Sequence, residues 1–200
     1  MTTVREVFAG AGLVARGSVR WGSRVSFDGP VAYVVALTSD VDDPSSVASC
    51  PIDASAIRRL LQVRPETEVD GSPASEASLT SRLSSMWLSS EPVVYVGLAG
   101  TSLAKRVGQY YRTPLGARSP HAGGWPLKTL SVLDQLVVHL SPCSDPGCAE
   151  AEMVDAFVAG VPSIVAASLY DPSATLPFAN LMFPGGRKKR HGISGVKATR

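Results

Sequence analysis

The stretch EPVVYVGLAGTSLAKRVGQYYR, residues 91 to 112, constrains the fold more than any other part of the chain. It begins as an apolar, β-branched run closing on Tyr95-Val96-Gly97, which reads as a buried strand over 92 to 97. A Gly-Thr-Ser turn follows, and from Ser102 to Arg112 the apolar spacing becomes helical. At 3.6 residues per turn, Leu103, Val107, Tyr110 and Tyr111 share one face, while Lys105, Gln109 and Arg112 lie opposite. Arg106 falls on the border between the faces, where its stem can stay packed while its head reaches over a sheet edge. Tyrosine hydroxyls beside a cation are costly in a core and useful beside a phosphate.

Other segments supply the partners this unit needs. PVAYVVALT, residues 30 to 38, is a second apolar, β-branched strand bounded by Asp28-Gly29 and an acidic loop. LDQLVVHLS, 133 to 141, is a third, and GSVRWGSRVS reads as an irregular strand. Helices are predicted over 3 to 9, over 53 to 62 behind an Asp cap, and over 76 to 88, with a turn at 69 to 75. The segment 149 to 160 is also helical: Glu150, Met153, Val154 and Phe157 follow i, i+3, i+4, i+7, and Glu152 and Asp155 point away. Glu150 therefore sits on an apolar face, where a carboxylate is costly without a cation or donor. The alternative is a first-turn glutamate held by the helix dipole.

Two hundred residues with 44% hydrophobic and 18% charged side chains allow one domain with a real core. No apolar run approaches a bilayer span of roughly 20 residues, and the N-terminus does not read as a secretory signal, so a cytoplasmic location is expected. The three cysteines, Cys50, Cys143 and Cys148, fit reduced thiols, although His139, Cys143 and Cys148 form an H-x3-C-x4-C spacing that zinc could use. Charge is unevenly distributed. Residues 185 to 200 carry +6 with no acid, leaving −4 on the remaining 184 residues, and 101 to 130 is a second acid-free stretch. Two basic blocks on an acidic body predict a polyanionic partner, with nucleic acid foremost. A solvated tail is the plain alternative for the C-terminal block, and core filling is favoured over base stacking for Trp87 and Trp125.

In order, the chain presents a strand with Ala-Tyr-Val, a strand with Tyr-Val-Gly, a basic helix, a strand, a glutamate helix and LPFANL. This series resembles the GIY-YIG nuclease superfamily over roughly residues 29 to 180. The resemblance implies an α+β fold, a small three-stranded, mainly antiparallel sheet flanked by helices, within a single domain over 1 to 184. Residues 39 to 91 become an inserted helical lobe, because 61 residues separate Tyr33 from Tyr95. Residues 185 to 200 become a basic C-terminal tail. The implied chemistry is metal-dependent endonucleolytic hydrolysis of nucleic acid, preferentially DNA. Tyr33 activates water, Tyr95 positions water or phosphate, Arg106 clamps the phosphate and Asn180 closes the motif set. Glu150 is the implied ligand for Mg²⁺ or Mn²⁺. Arg118 and His121, in the insertion before the third strand, are rivals or helpers, with His121 as an alternative base.

Lys105, Arg112, Arg187, Lys188, Lys189 and Arg190 are the expected nucleic-acid contacts. No membrane partner is expected, and cutting both strands of a duplex with one small site calls for a homodimer. The departures are Val-Ala-Tyr in place of Gly-Ile-Tyr, and leucine at position 98. They keep a second reading open, a DNA-binding or regulatory module without turnover. A phosphate loop in GLAGTS is a weaker rival, because it lacks the Gly-Lys-Ser/Thr ending.

Overall fold

The fold is that of a computed structural model describing residues 1–117, 119 and 124–197. In chain order the elements are α1 (Val4–Gly10), β1 (Gly17–Arg20), β2 (Val31–Ala36), α2 (Ala54–Val63), β3 (Glu68–Val69), β4 (Ser72–Pro73) and α3 (Glu76–Ser84). There follow β5 (Val93–Ala99), α4 (Leu103–Arg112), β6 (Val137–Pro142), α5 (Pro146–Gly160), α6 (Ser163–Ala167) and β7 (Ile193–Ser194). Short 3₁₀ turns at Trp125–Thr129 and Leu133–Gln135 lead into β6.

The main sheet has the order β1-β6-β2-β5, and every pairing in it is antiparallel. The expected three strands are therefore joined by a fourth. The irregular segment GSVR pairs with β6, Gly17 opposite Leu140 and Arg20 opposite Val137. The α+β class stands, with four strands in place of three.

β2 shows why the sheet must be covered on both sides. Val31, Tyr33 and Val35 face one core with Tyr95, Leu103, Val107 and Tyr110; Ala32, Val34 and Ala36 face another with Val7, Phe8, Met153 and Phe157. All six residues of β2 are buried, so the run is continuously apolar rather than alternating with polar residues. One face carries α1 and α5, the other α2, α3 and α4. Trp87 and Trp125 are each 6% exposed, and the Trp87 indole donates to Val47 O at 2.7 Å, which places both in the core.

The segment 39 to 91 is not purely helical. Asp70 and Gly71 both take positive φ, 53° and 75°, and turn β3 into β4 as a tight hairpin. β7, from the C-terminal segment, adds to that hairpin to make a second, three-stranded sheet, β4-β3-β7. Residues 185 to 197 of the basic C-terminal block are thus folded, with Ile193 and Val196 buried in the core.

Candidate active site

The two tyrosine strands lie side by side, with Tyr33 opposite Gly97 across the β2–β5 ladder. That pairing explains the glycine. A Cβ on residue 97 would lie 2.8 Å from the Tyr33 hydroxyl and 2.7 Å from the Tyr95 ring, so only glycine lets the Tyr33 ring lie across its neighbour strand. The two rings sit 6.0 Å apart, and Tyr95 meets Tyr110 edge-on at 5.9 Å.

α4 begins where the Ser102 hydroxyl accepts from Lys105 N–H at 3.2 Å and donates to Asp28 at 3.2 Å. This gives the serine of GLAGTS a capping role. Leu103, Val107 and Tyr110 are buried as the periodicity requires. Tyr110 spends its hydroxyl on Gly124 O, and Lys128 caps the helix end at Tyr110 O and Thr113 O; burial brings that ammonium down to about 8. Arg106 is half-buried, and its Nε is enclosed with no hydrogen-bond partner among the described residues.

α5 starts at Pro146 behind an Asp145 cap, earlier than expected because proline suits the first helical position. Met153, Val154 and Phe157 are fully buried, Glu152 and Asp155 are exposed, and Glu150 is half-buried. The face assignment made from spacing is the one observed.

Tyr95, Arg106, Glu150 and Asn180 line one cleft of about 740 Å³ together with Lys188 and His191. Lys197 also lines it, so among the described residues three cations and one carboxylate line the cleft. A second hollow of about 310 Å³ shares Leu98 and Arg106 with the first and carries Lys105 and Gln109 along α4.

Electrostatics couple the group. Burial raises the Glu150 carboxyl above its ordinary range, and the Arg106 charge opposes the rise. Burial pushes the Tyr33 hydroxyl well above the tyrosine range, with Tyr95 and Glu150 adding and Arg106 opposing. Tyr95 is raised by burial and then by Glu150, again against Arg106. Both phenols are therefore neutral near neutral pH.

Not every expected residue reaches the cleft. Tyr33 is 1% exposed and sits behind Tyr95, and its hydroxyl has no hydrogen-bond partner among the described residues. Asn180 lines the cleft, but its amide is committed to the open edge of β5. Its Oδ1 accepts from Val96 N–H at 2.9 Å and its Nδ2 donates to Val96 O at 2.8 Å. The asparagine thus fixes a wall of the cleft.

The basic residues are scattered in the same way. Lys189 is 3% exposed and donates to Leu176 O, so its ammonium is turned inward, away from any backbone phosphate. Arg187 stacks on Phe183 at 3.7 Å, Arg190 pairs with Asp171, and Arg112 is exposed outside the cleft. Arg118 and His121 lie outside the described residues. His139 hydrogen-bonds Thr38 O at 2.9 Å, and no group of three metal-ligating side chains forms among the described residues, including the H-x3-C-x4-C set. Sequence reading missed His191 and Lys197 as cleft residues. The one local signal was the turn at Gly185-Gly186.

The chain matches no protein-family model, no characterised protein and no solved structure. No helix among the described residues is long and apolar enough to cross a membrane.

Proposed function

We propose that this protein is a metal-dependent endonuclease hydrolysing phosphodiester bonds in nucleic acid, preferentially DNA. The observation that carries the reading is the meeting of Tyr95, Arg106 and Glu150, from β5, α4 and α5, in one cleft with a surplus of positive charge. Residues far apart in sequence are brought together there, each of a type suited to a phosphate.

The donor set fits a hard divalent cation held by a single carboxylate. Mg²⁺ is commonly bound through one or two carboxylates plus substrate phosphates, and Glu150 is a half-buried acid on the cleft lining, with the Arg106 charge acting on it. Glu150 would hold the ion, which when bound supplies Lewis-acid charge at the phosphate and acidifies a coordinated water. Arg106 donates to phosphate oxygens and balances the charge that accumulates on them; donors of this kind are worth about 10²- to 10³-fold each. Tyr95 offers its neutral hydroxyl to water or phosphate, and Tyr33 supports that ring from behind.

The sealed Tyr33 hydroxyl favours a second reading on the same surface, a nucleic-acid-binding module without turnover. Plasmid and single-stranded DNA, incubated with Mg²⁺ and either the wild-type protein or Glu150→Ala, separate the two. Metal-dependent cutting by wild type alone is the expected outcome. Binding without cutting by both proteins selects the module, and cutting that survives Glu150→Ala removes this site from the chemistry.

A further inference from the structure

The cleft has two walls of different origin. One is the sheet with α4 and α5. The other is the C-terminal strap, residues 181 to 197, which is tied down along its length. Lys189 N–H donates to Leu181 O at 2.9 Å and Phe183 N–H to Arg187 O at 2.8 Å, closing a hairpin over Gly185 and Gly186, whose φ values are 88° and 97°. Past the hairpin, Ile193 and Ser194 pair with Val69 and Glu68 of the inserted lobe. Asp70 N–H donates to Gly192 O at 2.7 Å, and Arg82 of α3 donates from Nη1 to both His191 O and Asp70 Oδ1, each at 2.9 Å, and from Nη2 to Asp70 Oδ2. Arg82 itself is stacked on Tyr170 at 3.6 Å. The lobe thus holds the strap at His191.

His191 is posed by this anchoring. Its Nδ1 accepts from Ile193 N–H at 3.1 Å, so in the neutral ring the proton resides on Nε2, which has no hydrogen-bond partner among the described residues. Burial, and then the charges of Lys189, Lys197, Arg82 and Lys188, hold the imidazole below its ordinary pKa. The ring is a neutral donor among cations, with Lys188 exposed beside it on the cleft lining. A neutral N–H donor flanked by ammonium groups suits a phosphate oxygen and offers nothing to a cation.

We propose that Lys188 and His191 form a phosphate subsite on the strap wall, gripping a backbone phosphate next to the one that reacts at Arg106 and Glu150, and that the inserted lobe holds this subsite in place. The proposal rests on nucleic acid occupying the cleft, but not on turnover.

The test is binding of a short, fluorescently labelled single-stranded oligodeoxynucleotide to the full chain, in EDTA, across a salt series. Lys188→Ala weakens binding about five- to tenfold and lowers the salt slope by about 0.7, the value for one phosphate contact on a single strand. His191→Ala weakens it about threefold, and His191→Gln, which keeps a neutral Nε2–H donor, restores it to within about twofold of wild type. Arg59→Ala, an exposed cation on α2 away from the cleft, leaves affinity unchanged and controls for charge alone. Melting temperatures equal to wild type certify the folds. Wild-type affinity in both Lys188→Ala and His191→Ala, with Arg106→Ala weakened, overturns the subsite and leaves the nuclease reading intact. Equal weakening by His191→Gln and His191→Ala assigns His191 to structure and overturns its role as donor. A wild-type protein that binds no oligonucleotide overturns the nucleic-acid reading and the subsite together.

Discussion

The two walls of the cleft are built by different physics. The sheet wall is held by apolar burial: β2 is buried on both faces, and Tyr33, Tyr95 and Tyr110 sit in one continuous core. The strap wall is held by turns, a two-residue strand and charged hydrogen bonds around Arg82, Asp70 and His191. The first presents the groups suited to chemistry, the second groups suited to grip. On the proposed reading, the two walls can be altered separately, one for hold on nucleic acid and one for chemistry.

Substitutions that exploit the difference should give unequal effects. The largest is expected at Gly97, where an added methyl meets Tyr33 and Tyr95 inside the packed wall. Overpacking of this kind costs about 1–3 kcal/mol, so Gly97→Ala should lower Tm by roughly 3–10 °C and reduce cleavage as Tyr95 is displaced. Scanning calorimetry beside a cleavage assay checks both; an unchanged Tm would show that the rings give way freely.

A smaller effect, of opposite sign, is expected in the strap. Burial brings the Lys189 ammonium from its ordinary 10.5 down to about 7, with Asp171 only partly offsetting it. A base with a lowered folded pKa leaves the folded state holding fewer protons than the unfolded chain between those two values, so stability rises with pH across that window. Lys189→Met should therefore raise Tm at or below pH 7, by about 2–4 °C, and the gain should shrink towards pH 10.5. A Tm difference that stays constant with pH would place the lysine's charge in solvent. Affinity for DNA should be unaffected, because the ammonium faces inward.

The same contrast explains what could be read from the sequence. Periodicity located Glu150 and Arg106 on the correct faces, because side chains on a packed helix obey one period and the core enforces it. The fourth strand was harder to see: GSVR is short and mostly exposed, and only its pairing with β6 makes it a strand. The strap was hardest. Its basic run looks like a solvated tail, yet a hairpin and a pairing with residues more than a hundred positions away turn Lys188 into the cleft and Lys189 into the core. Non-local pairing of two-residue strands leaves almost no periodic trace. Asn180 was located through the motif resemblance, and nothing in the sequence signalled that its amide pairs with the β5 edge.

The central claim is that Arg106 and Glu150 act as one unit on a phosphate. Single-turnover cleavage in Mg²⁺ by wild type, Arg106→Ala, Glu150→Ala and the double variant tests it most directly, because losses from groups that work together do not multiply. Each single variant is expected to lose about 10²-fold or more, and the double variant no more than the worse single. Losses that multiply, or a Glu150→Ala protein that cuts at the wild-type rate, would contradict it.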